Sequence, residues 1–206
     1  MRILLVSATK EEIQPSLSYL DHHQIDYLIT GVGMVATAFK LGYYLKDHVF
    51  DLIINVGIAG SFVSEVTIGS VVRVVSDNFI EMGAEDNEQF IPIDKMGLGH
   101  STYQEYLPEN ILKKLPDFPH VHGITVNCVH GNSMSISKIK SKFPSLTVES
   151  MEGAAVFYVA NAMQLPVIQL RSISNYVEPR DKSRWNIPLA IKELNHKLIS
   201  LLESLV

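Results

Sequence analysis

Chemistry on a small molecule needs groups that move protons or hold charge, and this chain places several at the ends of apolar runs. Glu12 stands just past the run Ile3–Ala8. Glu149 and Glu152 flank Met151, where another apolar run meets a segment rich in small residues. Arg171 interrupts the otherwise apolar stretch from Val167 to Ser174 near its end. Paired carboxylates suit general acid–base work. A cation within an apolar strand needs a partner carboxylate or an anionic ligand, because burying it alone is costly. Each acid also has an ordinary structural role. Glu12 lies three residues after Thr9, the spacing of a capping box. An acid at a strand-to-helix junction complements the helix dipole.

Other patterns are decoys or absences. Gly31-Val-Gly33-Met-Val-Ala36 satisfies the dinucleotide-binding spacing. It follows the second strand rather than the first, however, and Asp51 begins the next strand instead of ending it. A tight strand-to-helix turn is the better reading. Gly57-Ile-Ala-Gly60 also reads as a tight turn that permits close backbone approach. The eight histidines form no zinc-ligand spacing, and no G-x-S-x-G elbow is present. The single cysteine, Cys128, rules out an intrachain disulfide and a cysteine-rich metal cage. Tyr43-Tyr44 and Phe157-Tyr158 fall within helices, as core or interface residues.

The elements that must position these groups alternate along the chain. Strands are expected at Ile3–Ala8, Tyr27–Thr30, Leu52–Val56, Val71–Val75, Gly123–Val129, Leu146–Val148 and Pro166–Ile173. Helices are expected to start at Thr9, over Met34–Leu45, over Ser135–Phe143 (closed by Pro144), over Glu152–Gln164, and after a polar loop, Asn175–Asn186, ending near Leu202. Residues 79–106 show no clear period and read as irregular. Alternation of this kind implies crossovers and an α/β fold: one mixed, mostly parallel sheet flanked by helices. A length of 206 residues suits a single domain over 1–206. A net charge of -5 without basic runs argues against nucleic acid or an anionic membrane as partner. No apolar stretch approaches a membrane span, and the N-terminus turns acidic too soon for a signal peptide. The expectation is a soluble, cytoplasmic chain.

Four segments in order resemble the nucleoside phosphorylase/nucleosidase superfamily, most closely its purine nucleosidases: Ser7-Ala-Thr-Lys-Glu-Glu12, Asn55-Val-Gly-Ile-Ala-Gly60, Val148-Glu-Ser-Met-Glu-Gly-Ala-Ala155 and Arg171-Ser-Ile-Ser-Asn175. Within it, Phe79–Asp86 and Asn175–Trp185 are similar to the branch that cleaves futalosine to hypoxanthine and dehypoxanthine futalosine. The resemblance implies a nucleoside phosphorylase-like fold, a homo-oligomer, a purine nucleoside as substrate, and neither metal nor cofactor. It also implies roles. Glu12 orients and deprotonates the attacking water, and Arg171 helps place it. Glu152 grips the ribose hydroxyls, with Met151 packed on the sugar. Asn175 lies at the base, and the backbone around Met134-Ser135 is a further candidate there.

Two departures refine this. Asn175 stands where the 5'-methylthioadenosine nucleosidases carry an aspartate, so it can donate a hydrogen bond but cannot deliver a proton. That suits hypoxanthine better than adenine. Ile58 replaces a serine near the water. Phosphorolysis is disfavoured because Asn55-Val56 stand where the phosphorylases carry an arginine. The alternatives are a 5'-methylthioadenosine/S-adenosylhomocysteine nucleosidase and a non-catalytic nucleotide sensor. Futalosine carries a benzoate, and Arg180 is the expected cation for it, beside Arg184 and Trp185.

Overall fold

The computed structural model describes residues 1–143 and 146–205; Pro144, expected to close a helix, lies outside them. The strands are β1 (Ile3–Ser7), β2 (Asp26–Ile29), β3 (Leu52–Ser61), β4 (Val71–Phe79), β5 (Gly83–Asp86), β6 (Gln89–Pro92), β7 (Thr102–Gln104), β8 (His120–Thr125), β9 (Leu146–Ser150) and β10 (Val167–Tyr176). The helices are α1 (Lys10–Ile13), α2 (Leu17–His22), α3 (Met34–Leu45), α4 (Glu109–Leu112), α5 (Ser133–Lys142), α6 (Gly153–Ala162) and α7 (Ile187–Leu205).

β2, β1, β3 and β10 run parallel in that spatial order. β4 pairs antiparallel with β10 and parallel with β8, and β8 is parallel to β9. β9 then returns antiparallel to the outer end of β3, so β3, β10, β4, β8 and β9 close on one another. The mixed, mostly parallel sheet expected from the alternation is therefore present.

All five residues of β1 are buried, as its continuous apolar run requires of a strand covered on both faces. Ile3 and Leu5 pack with Leu194, Leu198 and Leu202 of α7. Leu4 and Val6 point the other way, to Leu41 of α3 and to Val156 and Phe157 of α6. Each such side chain contributes roughly 1.5–3 kcal/mol by leaving water. The sheet edges that carry the candidate chemistry are thus clamped between helices.

Three expectations need correction. Gly57–Gly60 is no turn: β3 continues through it to Ser61 in register with β10. Its glycines serve close side-chain approach instead. A Cβ on Gly57 would lie 2.9 Å from Glu12 Oε1, and one on Gly60 would lie 2.8 Å from Val177. The first helix is broken, because Pro15 has no N–H to donate and the chain passes through a 3-10 turn at Gln14–Ser16. Residues 79–106 are partly ordered into the β5–β6 hairpin and β7, which pairs with β4. Short exposed strands of this kind leave little periodicity to read.

Candidate active site

The C-terminal ends of β1, β3, β9 and β10 open on one cavity of about 410 Å³. Its wall includes Glu12, Ile58, Met151, Glu152, Asn175 and Arg180. The fold therefore brings together residues up to 168 positions apart. This is where an open α/β sheet gathers ligands.

Glu12 is held from three directions. Its Oε2 accepts from the Ser7 hydroxyl (3.0 Å), the Thr9 N–H (3.0 Å) and the Thr9 hydroxyl (3.1 Å). Its Oε1 accepts from the Ile58 N–H at 3.1 Å. The side chain thus caps α1 and faces the cavity at once, so its structural and chemical readings do not compete. With Oε2 saturated, Oε1 is the oxygen that keeps a lone pair for a proton.

Glu152 accepts from the Gly33 N–H at 2.8 Å. The glycine-rich turn that mimics a dinucleotide motif thereby supplies a backbone donor to a carboxylate. Gly33 has φ +96°, a conformation that side-chain-bearing residues rarely adopt. Burial pushes the Glu152 carboxyl up from its usual range, while the Gly33 N–H and Arg171 oppose this.

Arg171 is fully buried. Its Nη2 donates to Asn55 Oδ1 at 2.6 Å and its Nη1 to the Leu170 carbonyl at 3.0 Å, while Nε has no partner. No carboxylate closes to ion-pair distance among the described residues, yet Glu152, Glu12 and Asp77 all favour the charged guanidinium electrostatically. The cation sits beneath the cavity as a shared counter-charge. Behind it, buried Asp77 accepts from Gln169 Nε2 (2.9 Å) and from the Thr125 hydroxyl (2.9 Å). Thr125 in turn accepts from the Ala154 N–H at 2.7 Å. This bracket fixes the start of α6, immediately after Glu152. Burial raises the Asp77 carboxyl to about 6.

At the other end, Asn175 accepts from Ser174 Oγ (2.8 Å) and donates to the Tyr176 carbonyl (2.9 Å), which leaves one N–H and one lone pair. Arg180 lies over the Trp185 ring, 5.0 Å from its centre. Arg184 is instead paired with Glu178 at 2.7 Å, so of these two Arg180 is the one without a carboxylate partner among the described residues. Met134 and Ser135 lie at the start of α5 outside this cavity; Met134 is exposed, and Ser135 lines a neighbouring one with Glu81, Lys138 and Lys142. The sequence reading passed over His130. Its Nδ1 and backbone N–H both bind the buried Glu149 carboxylate, 19 positions away. No spacing motif announces such a pair. Among the described residues no three His, Cys, Asp or Glu side chains cluster as a metal cage.

The phosphorylase superfamily profile matches residues 14–206. A futalosine hydrolase of Streptomyces coelicolor is 31% identical over 190 residues, 87% of this chain and 80% of that one. A 5'-methylthioadenosine/S-adenosylhomocysteine nucleosidase of Glaesserella parasuis is 23% identical over 99% of both chains. Among solved structures, the native futalosine hydrolase of Helicobacter pylori superposes with a TM-score of 0.82 over 98% of this chain and 97% of that one, at 15% identity. On this profile match and this relative, the chain belongs to the phosphorylase superfamily.

Proposed function

We propose that the protein is a metal-free purine nucleosidase that hydrolyses futalosine to hypoxanthine and dehypoxanthine futalosine. The observation that carries this reading is the convergence of Glu12, Glu152 and Asn175 on one cavity, with the buried Arg171 guanidinium coupled electrostatically to both acids from outside its wall. Hydrolysis of an N-glycosidic bond needs a water nucleophile, a hold on the ribose as it flattens towards an oxocarbenium ion, and charge relief on the departing base. Glu12 Oε1 takes the water's proton, with Arg171 helping to place that water. Glu152 grips the ribose hydroxyls, and its charge favours the developing cation. Met151 packs on the sugar and Asn175 meets the base. Ile58 contributes its backbone N–H to Glu12 rather than a side-chain contact. Arg180, on the Trp185 face, receives the benzoate.

The same reading places the enzyme in the cytoplasm as a homo-oligomer. Val35, Phe39 and Tyr43 line up at i, i+4 and i+8 on α3 and are 78%, 71% and 66% exposed. An apolar stripe of this kind favours burial against a second copy. No helix among the described residues is long and apolar enough to cross a membrane.

The test is purine release, followed by chromatography, from futalosine, 5'-methylthioadenosine and inosine, with and without phosphate. Hypoxanthine from futalosine, independent of phosphate, is the expected result. Preferential adenine release from 5'-methylthioadenosine would move the assignment to the other nucleosidase branch. Binding without release from any of them would make the chain a sensor.

A further inference from the structure

A departing purine leaves faster when it receives a proton, and Asn175 has none to give. The cavity contains another candidate. His130 and Glu149 both line it, and the two side chains are mostly buried. The Glu149 carboxylate takes the His130 backbone N–H at 2.9 Å on one oxygen and the ring Nδ1 on the other. A carboxylate only accepts, so Nδ1 carries a proton and the ring orientation is fixed. Nε2, on the far side of the ring, has no hydrogen-bond partner among the described residues, and the edge of Phe62 supports the ring.

We propose that His130, oriented by Glu149, donates a proton from Nε2 to the purine as the glycosidic bond breaks. The proposal rests on the nucleosidase reading above. As C1'–N9 breaks, its electron pair goes to the purine, which takes the Nε2 proton. Glu12 takes a proton from water as the water oxygen bonds to C1'. The sum is one water added across the bond, and solvent returns the proton from Glu12 to the imidazole.

The charges around the ring are mainly acidic. Glu11, Glu12, Glu152 and Glu178 share the cavity with a lone cation in its wall, Arg180. On the other side, Glu81 and Glu85 face Lys138 and Lys142 in the neighbouring cavity that His130 also lines, and these roughly cancel. Burial pushes the Glu149 carboxyl up, the His130 contacts oppose this, and Glu81 adds to it.

The experiment measures kcat and KM against pH for wild type, His130→Ala and Glu149→Gln on futalosine. A second arm uses p-nitrophenyl riboside, whose phenolate leaves without a proton. His130→Ala should lower kcat on futalosine by about 10²-fold or more, with KM changed less than about threefold. It should also abolish the alkaline fall of the wild-type kcat profile and spare the phenolate substrate. Glu149→Gln should move that alkaline fall to lower pH, and added imidazole should partly rescue His130→Ala. An intact alkaline limb in His130→Ala, or equal fractional losses on both substrates with an unchanged melting temperature, overturns the donor assignment alone. Absence of hypoxanthine release by wild type overturns the nucleosidase reading, and the proton donor with it.

Discussion

The two ends of the cavity are built differently. At the inner end, Glu12 and Glu152 are gripped by backbone N–H groups of Thr9, Ile58 and Gly33, and Arg171 lies in a strand in register with Gly57. The Ile58 donor belongs to a strand clamped by the core, and the Thr9 and Gly33 donors sit at the N-caps of α1 and α3. At the outer end, Arg180 is held by one loop contact, its N–H to the Gly131 carbonyl at 3.2 Å, and by the Trp185 ring. The inner end is preorganised for charge and proton chemistry, which tolerates little displacement. The outer end has the adaptable contacts that distinguish one substrate from another.

The contrast is broken most severely by Glu12→Gln. The amide keeps the shape but cannot take a proton, so kcat should fall by about 10²–10⁴-fold while substrate still binds. Near-normal turnover, measured by hypoxanthine release, would remove Glu12 from its role. Gly57→Ala probes the same end through the backbone. Its Cβ would press on Glu12 Oε1 and meet Arg171 Nη1 at 3.4 Å. A loss of about 1–3 kcal/mol in stability is expected from overpacking, together with a kcat defect that exceeds any rise in KM. Calorimetry and steady-state kinetics on one preparation check both.

The outer end should respond in KM instead. Arg180→Ala should raise KM for futalosine about tenfold, the loss of roughly 1.4 kcal/mol of a charge-assisted contact. Inosine has no benzoate and should hardly respond. Equal losses on both would make Arg180 a support of the loop, through its contacts with Gly131 and Trp185. The mildest effect is expected behind the site. The folded state raises the Asp77 carboxyl to about 6, above its ordinary 3.8. Its contribution to stability is therefore complete below about pH 4 and is lost as pH rises through 6. Asp77→Asn should flatten that dependence, by about 2–4 °C in Tm for each kcal/mol involved. Identical melting curves for the two proteins across pH 4–7 would contradict it.

The same contrast explains what the sequence disclosed. Glu12, Glu152 and Arg171 sit beside the apolar runs that form the strands holding them, so local pattern and site coincide. The alternation of strands and helices conveyed the fold class for the same reason. Gly57–Gly60 misled because glycine composition speaks equally for a turn and for a strand that must admit other side chains closely. Gly31 and Gly33 form the tight turn read from their spacing, both at positive φ; the Gly31 N–H binds the Ala8 carbonyl and the Gly33 N–H serves Glu152 rather than a pyrophosphate. His130 left no trace, since only the return of β9 alongside β3 brings its partner Glu149, itself a candidate acid, to the cavity.

The central claim is that water, activated at Glu12, attacks C1' of a purine nucleoside. It is tested most directly by hydrolysing futalosine in ¹⁸O-water with phosphate present and identifying the sugar product by mass spectrometry. The account predicts one ¹⁸O in dehypoxanthine futalosine, one equivalent of free hypoxanthine, and no dependence on phosphate. A phosphorylated sugar product, or release that requires phosphate, would contradict it.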